Sequence, residues 1–151
     1  MAAGDLVADD EEVVRALHYP LWDEATQRAT TSAFMQSEIS VSRPAVLEYS
    51  EIVRIFKSDL DGKVCKDGKV RMVVATATVV VRSVLDLCNV PDATVAVSVV
   101  EDPTHGVPGI EDNLSHALIL GRDQSDRKVP KNLTRGMANR IRTACRYRPV
   151  A

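Results

Sequence analysis

His116 is the residue of this chain whose type and surroundings best suit chemistry. It lies in the apolar run 113–121, and because side chains alternate along a strand, it would share one face with Leu114, Leu118 and Leu120. We expect that face to be buried, which would place a titratable ring at the core. A buried imidazole needs polar partners. Two roles therefore fit His116. It is a core histidine whose ring nitrogens are hydrogen-bonded within the fold, which the neighbouring leucines favour, or it is a general acid–base.

A second group of polar side chains occupies residues 28–34, where a guanidinium, three hydroxyls and a phenylalanine fall within seven residues. Arg28 can bind a carboxylate or phosphate through two parallel hydrogen bonds, and Thr31 and Ser32 can donate to the same oxygens. These three residues are the predicted ligand-binding site. Ser32 and His18 join His116 as candidate catalytic residues. The alternative, which we favour, is a hydroxyl-rich turn that satisfies its own backbone.

Metal-binding and phosphate-binding patterns do not account for these residues. His18, His105 and His116 have no cysteine or carboxylate at the spacing of a metal site. The repeated Asp-Gly-Lys-Val at 61–64 and 67–70 has the wrong spacing for a phosphate-binding loop and indicates turns. We therefore expect no metal and no cofactor.

The charge of the chain is distributed unevenly. The net charge is −2, but residues 122–148 contain nine Lys or Arg and two Asp, so this segment carries +7 and the rest −9. A helix predicted over about 132–146 would place arginines on the face opposite its apolar side chains. The predicted partner-binding surface consists of Arg127, Lys128, Lys131, Arg135, Arg142 and Arg146. A nucleic-acid backbone or an acid-paired surface would also suit this charge.

Apolar periodicity indicates both strands and helices. Strands are predicted at 13–19, 39–42, 70–75, 94–100 and 114–121. A helix is predicted over 44–57, because Ser42-Arg43-Pro44 is a typical helix start. Residues 76–88 suit a helix or a strand, and we prefer a strand to 75 followed by a helix.

These elements predict one α+β fold. It is a single compact domain over 13–151, with a small mixed β-sheet, about three helices and a basic C-terminal helix. An acidic segment, 1–12, would precede it as a flexible leader.

Composition points to a reducing compartment. Hydrophobic residues make up 45% of the chain and charged residues 26%, which is typical of globular proteins. The odd number of cysteines, Cys65, Cys88 and Cys145, predicts free thiols. No signal-peptide pattern or membrane-length apolar run is present. We expect a cytoplasmic protein without a membrane partner.

An ordered set of short motifs carries a resemblance. The set comprises Trp22-Asp23, Arg28, Ser32-Ala-Phe34, Ile39-Ser-Val41 and Ser115-His-Ala-Leu-Ile-Leu-Gly121, followed by the basic helix. It is similar to a loose group of small, functionally uncharacterised bacterial proteins with a Ser-x-Ala-Phe, Leu-Ser-Val and His-Ala-x-Val-x-Gly layout. Here Ile39 and Ile119 replace the leucine and valine. The resemblance implies a bacterial domain and draws attention to Arg28, Ser32, Phe34, Ser40 and His116.

Three functions fit the sequence. The preferred one is a non-catalytic binding module or accessory subunit of a bacterial cytoplasmic complex, which binds a protein partner or another copy of itself through the basic helix. The first alternative is nucleic-acid binding through the same helix. The second is a small enzyme that acts on a nucleotide-like ligand at Arg28, Ser32 and His116, so the sequence leaves catalysis open.

Overall fold

The computed structural model describes residues 4–150 as eight strands, three α-helices and one 3₁₀ turn. The strands are β1 Glu12–Leu17, β2 Trp22–Asp23, β3 Arg28–Ala29, β4 Glu38–Ser42, β5 Ala75–Val80, β6 Val95–Glu101, β7 His116–Asp123 and β8 Arg146–Pro149. The helices are α1 Tyr49–Leu60, α2 Val81–Cys88 and α3 Arg135–Ala144, and the 3₁₀ turn is Thr31–Phe34.

Six strands form one sheet in the order β6-β7-β4-β1-β5-β8, and β2 pairs with β3 in a separate ribbon. The α+β class and the expected three helices are confirmed within residues 4–150. All five pairings of the large sheet are antiparallel, whereas the sequence predicts a mixed sheet. The reason is that α1 leads from β4 to β5, and β5 pairs with β1, so α1 is not a crossover between parallel neighbours.

One face of the sheet is covered by α2, α3 and the 3₁₀ turn. The core on this face is almost entirely aliphatic, and Phe34 is its one completely enclosed aromatic ring among the described residues. Met137, Ala138 and Ile141 form the buried face of α3 at helical spacing. The hydroxyl of Thr134 caps this helix by accepting from the amide of Met137 at 3.2 Å.

Two element boundaries in the structure differ from the predicted ones. The order of strand and then helix in the ambiguous segment is confirmed, but the predicted strand over 70–75 is wrong, because β5 covers Ala75–Val80 and the helix begins at Val81. The C-terminal helix ends at Ala144, so the prediction that it continues to 146 is wrong. Residues 146–149 pair with β5 instead, because β5 offers them an open row of backbone donors and acceptors.

The opposite face of the sheet carries α1, which buries Ile52 and Ile55. The prediction that this helix begins at Pro44 is wrong, because it begins at Tyr49. Arg43 explains the delay. Its side chain is buried between Glu11, at 2.8 Å, and Glu101, at 2.6 Å, and its amide donates to the carbonyl of Ser115, which holds the chain against the sheet.

Residues 4–7, in the acidic N-terminal segment, run antiparallel beside β6. The amides of Gly4 and Val7 donate to the carbonyls of Glu101 and Val99, and the amide of Glu101 donates to Asp5. Val7 is buried. The outer edge of β6 is therefore covered by the chain itself.

Candidate functional site

A pocket of about 500 Å³ lies between α1, the loop 102–113 and the sheet face opposite α2 and α3. Its apolar wall consists of Ala16, Phe56, Leu60, Val107 and Ile110. Its ionisable side chains are Arg15, His18, Asp59, Lys63, Asp102 and His116. We call it the histidine pocket. Apolar walls with a few polar groups at fixed positions are typical of small-molecule sites.

β7 places His116 in this pocket. Burial alternates along the strand, and the residues that face the helical core are Ala117, Ile119 and Gly121. The prediction that His116 shares a buried core face with leucines is wrong. Leu114 precedes the strand and is 58% exposed, and the His116 face is only half-buried.

Gly121 marks a close contact on the core face of β7. A Cβ atom at this position would lie 2.1 Å from the carbonyl oxygen of Lys131 and 2.9 Å from a methyl carbon of Leu133. The chain that leads into α3 therefore packs directly on the strand backbone. A larger side chain would not fit at this position.

Asp102 orients the imidazole of His116. Nδ1 lies 2.9 Å from the backbone carbonyl of Asp102 and 3.0 Å from its carboxylate. Both neighbours are acceptors, so Nδ1 carries the proton and Nε2 keeps its lone pair in the neutral ring. Nε2 has no hydrogen-bond partner within residues 4–150. The side chain is 19% exposed, and it therefore offers an oriented acceptor to the pocket.

His18 is the second imidazole of the pocket and is only 8% exposed. Its Nδ1 lies 2.7 Å from the carbonyl of Tyr19. Desolvation lowers the pKa of His18, and the positive charges of Arg71 and Arg15 lower it further. The ring is thus neutral at pH 7. The structure brings His18 and His116, both predicted catalytic candidates, into one pocket.

Arg15 supplies a positive charge that no carboxylate balances. Its Nη1 donates to the carbonyl of Ser40 at 3.0 Å, and its Nε is enclosed without a hydrogen-bond partner in the described chain. No salt bridge joins it to any residue of 4–150. Desolvation lowers the pKa of Arg15 to about 10, so it stays charged at pH 7.

Sequence reasoning missed both Arg15 and Asp102. The signal for Arg15 is an arginine inside the apolar strand Val13-Val-Arg-Ala-Leu17. β1 and β4 share only one registered pair, Val14 with Ser42, and the guanidinium bonds β4 where further backbone pairing is missing. Asp102 follows β6, whose antiparallel register with β7 brings it opposite His116.

The predicted ligand-binding residues do not line the histidine pocket. The hydroxyls of Thr30 and Ser32 bond each other at 2.9 Å, and Thr31 donates to Asn139 of α3 at 3.1 Å. Arg28 lies in the β2–β3 ribbon opposite Asp23. These contacts belong to the side of the sheet that carries α3, whereas His116 lies on the other side.

The predicted basic surface divides into two parts. Arg142 donates to the carbonyl of Ala29 at 2.9 Å, and Arg146, which lies in β8, pairs with Glu12 at 2.6 Å. These two arginines are engaged in the fold. The remaining four make no salt bridge with residues 4–150, and we call them the basic loop–helix surface: Arg127, Lys128, Lys131 and Arg135.

The described residues contain neither a cluster of side chains that could hold a metal ion nor a helix suited to cross a membrane. No group of three His, Cys, Asp or Glu side chains within residues 4–150 is placed to hold a metal ion. Among the described helices, none has the length and apolar character needed to cross a membrane.

Comparisons with known proteins provide no relative of this chain. No family model, curated protein or solved structure matches this chain.

Proposed function

We propose that this protein binds a small ligand with one anionic group and an apolar body, and that the histidine pocket is the binding site. The observation that carries the proposal is the charge of Arg15, which lines the pocket and has no carboxylate partner among residues 4–150. The anionic group would lie beside Arg15. The apolar body would contact Phe56 and Leu60.

Electrostatics supports an anion at this end of the pocket. An unpaired charge that is withdrawn from water is unfavourable, and an oxyanion both compensates it and accepts charge-assisted hydrogen bonds. Arg71 adds positive potential, since its charge also lowers the pKa of neighbouring His18. The pocket also contains the carboxylate of Asp59, which accepts from the amide of Glu111, the carboxylate of Asp102, which bonds His116, and the ammonium group of Lys63.

The ligand would be encountered in the cytoplasm. Cys65, Cys88 and Cys145 are all free thiols, and burial raises the pKa of Cys88 to about 11 and that of Cys145 to about 12. Unpaired, unreactive cysteines suit a reducing compartment.

Titration of the ¹⁵N-labelled protein with benzoate, phenyl phosphate and neutral benzyl alcohol tests this proposal. Benzoate and phenyl phosphate should shift amides of β1 and β4, while benzyl alcohol binds at least tenfold more weakly. Arg15→Met should weaken benzoate binding about tenfold. Absence of binding by both anions, or full binding to Arg15→Met, would overturn the proposal.

Arg28→Met is the matched control, because it removes a guanidinium that lies in the β2–β3 ribbon and outside the pocket. Its benzoate affinity should stay within twofold of the wild type. Loss of binding in this variant, with retention in Arg15→Met, would favour instead the site of Arg28, Thr31 and Ser32.

A second candidate function is binding of an acidic partner through the basic loop–helix surface, as a binding module or accessory subunit. It is favoured by four cations without a salt bridge in the described chain, of which Arg127, Lys128 and Arg135 are exposed. A nucleic acid, an acidic protein and a second copy of the chain are distinguished by experiment.

The partner test combines oligonucleotide binding with size-exclusion chromatography of the purified protein. Nucleic-acid binding should weaken steeply with salt and be lost in the double variant Lys128→Glu/Arg135→Glu, while Lys66→Glu, on the distant 61–71 hairpin, serves as control. A dimer that dissociates only in the double variant would identify self-association. Binding that ignores both salt and the double variant would contradict this function.

A further inference from the structure

The Nε2 atom of His116, which has no partner among the described residues, gives further information about the chemistry of the ligand. This inference rests on the proposed function, since it concerns the same pocket. A largely buried imidazole usually has hydrogen-bond partners for both ring nitrogens, yet His18 and His116 each bond the described chain through Nδ1 alone. In His116 only Nδ1 is satisfied among the described residues, by two oxygens of Asp102. The ring is therefore held in one orientation, with an acceptor left for another molecule.

Arg15 and this acceptor lie at different positions along β4. The Arg15 guanidinium bonds the carbonyl of Ser40, and His116 is registered opposite Ser42. Both residues line the histidine pocket together with apolar side chains of α1. One ligand that fills the pocket can therefore reach both groups.

We infer that the ligand has a second polar end, an O–H or N–H group that donates to Nε2 of His116 while the anionic group lies beside Arg15. The ligand class is a small anion with an apolar middle and a hydrogen-bond donor at the end opposite the anionic group. Hydroxyaryl carboxylates have this shape. Asp102 is a positioning residue, because it acts on the ligand only through the tautomer and orientation of His116.

The apolar middle follows from the pocket wall. Phe56 and Leu60 come from the last turns of α1, and Val107 and Ile110 come from the loop 102–113. A chain or ring of the ligand that contacts these apolar side chains would be removed from water. A fully polar anion such as inorganic phosphate would leave this wall uncovered.

Three probes on the wild-type protein test the inference: benzoate, 4-hydroxybenzoate and 4-methoxybenzoate, with affinities from amide titrations. One hydrogen bond to His116 should make 4-hydroxybenzoate bind about fivefold to tenfold more tightly than benzoate. The methoxy compound has an acceptor but no donor, and it should lose this advantage. Equal affinities for benzoate and 4-hydroxybenzoate would overturn the inference and leave the proposed function standing.

Variants then assign the effect to the ring nitrogen. His116→Phe keeps a planar ring without an acceptor, so the ratio of the two affinities should fall to about one. Asp102→Asn should lower the ratio partly, because the backbone carbonyl still accepts from Nδ1. A ratio that persists in His116→Phe would overturn the inference. If His116→Phe does not fold, the methoxy comparison on the wild type decides the matter.

Discussion

The two faces of the six-stranded sheet bury their side chains in different ways. On the face beneath α2 and α3, the packed side chains of the core are almost entirely aliphatic, and Gly121 lets backbone contact backbone. On the face beneath α1, the enclosed space holds Arg15, His18 and His116. The first arrangement serves stability. The second leaves the charge of Arg15 and the Nε2 atoms of His18 and His116 without partners in the described chain, which is typical of a surface built for a ligand.

The largest test of this comparison uses two adjacent residues of β7. Ile119 is completely buried against the helices, and Leu118 is half-buried on the pocket face. Ile119→Ala should lower the free energy of unfolding by about 3 to 4 kcal/mol, and Leu118→Ala by about 1 kcal/mol, because only the first leaves a closed cavity. Urea denaturation measures both. Equal losses would remove the distinction between the faces.

Arg43 and Arg15 differ in whether carboxylates of the described chain compensate the charge of the guanidinium. Arg43→Met would leave Glu11 and Glu101 without the cation between them, and we expect a loss of about 3 kcal/mol. Arg15→Met removes a charge that has no counter-ion in the described chain, and we expect a gain of about 1 kcal/mol, with loss of benzoate binding. A large loss of stability in Arg15→Met would show that the fold, not a ligand, requires this charge.

Gly121 and Gly136 form a matched pair on the helical side. A methyl group at Gly121 would overlap the carbonyl of Lys131, whereas at Gly136 its nearest neighbour would be the flexible end of Arg140, 3.6 Å away. Gly121→Ala should therefore destabilise by about 2 to 3 kcal/mol, and Gly136→Ala should stabilise by up to about 1 kcal/mol through helix propensity. Thermal unfolding reads out both, and a tolerated Gly121→Ala would contradict the close contact.

The smallest expected effect is a pH dependence that His18 contributes to stability. Its pKa is lowered in the folded protein, mainly by desolvation, so the unfolded chain binds more protons between the folded pKa and the ordinary value. The contribution of His18 is thus complete above the unfolded pKa and is lost as the pH falls through that interval.

Urea denaturation at pH 7 and pH 5 measures this contribution. His18→Asn should lose less stability between the two pH values than the wild type, whereas His105→Asn, at an exposed position, should behave as the wild type does. Identical losses in His18→Asn and the wild type would show that this ring is not desolvated.

Periodicity predicted the elements of this fold better than it predicted their faces. Strands β1, β4, β6 and β7 and helix α3 follow from apolar alternation and helical spacing, because those patterns are local. The face of β7 could not be predicted, since it depends on how closely the chain before α3 approaches Gly121. β8 escaped prediction because its four residues are polar and are strand only through β5.

The candidate site was partly within reach of the sequence. His18 and His116 were singled out because histidines within apolar strands are uncommon, and both line one pocket. Their true neighbours come from distant segments: Asp102 through the β6–β7 register and Arg15 through a missing stretch of the β1–β4 ladder. Arg28 and Ser32 drew attention by local spacing alone, and spacing does not tell which side of a sheet a turn will join.

The backbone contacts of residues 4–7 with β6 have a consequence for how copies of this protein meet. Sheets associate edge to edge through strands whose backbone groups are unpaired. Here residues 4–7 bond Val99 and Glu101 at the outer edge of β6, and the other edge strand, β8, carries Arg146, Arg148 and the amide-free Pro149. Hydrogen bonds protect the first edge, and charge and a missing amide protect the second. Removal of the contacts made by residues 4–7 would expose these backbone groups, and concentrated copies would then pair through β6.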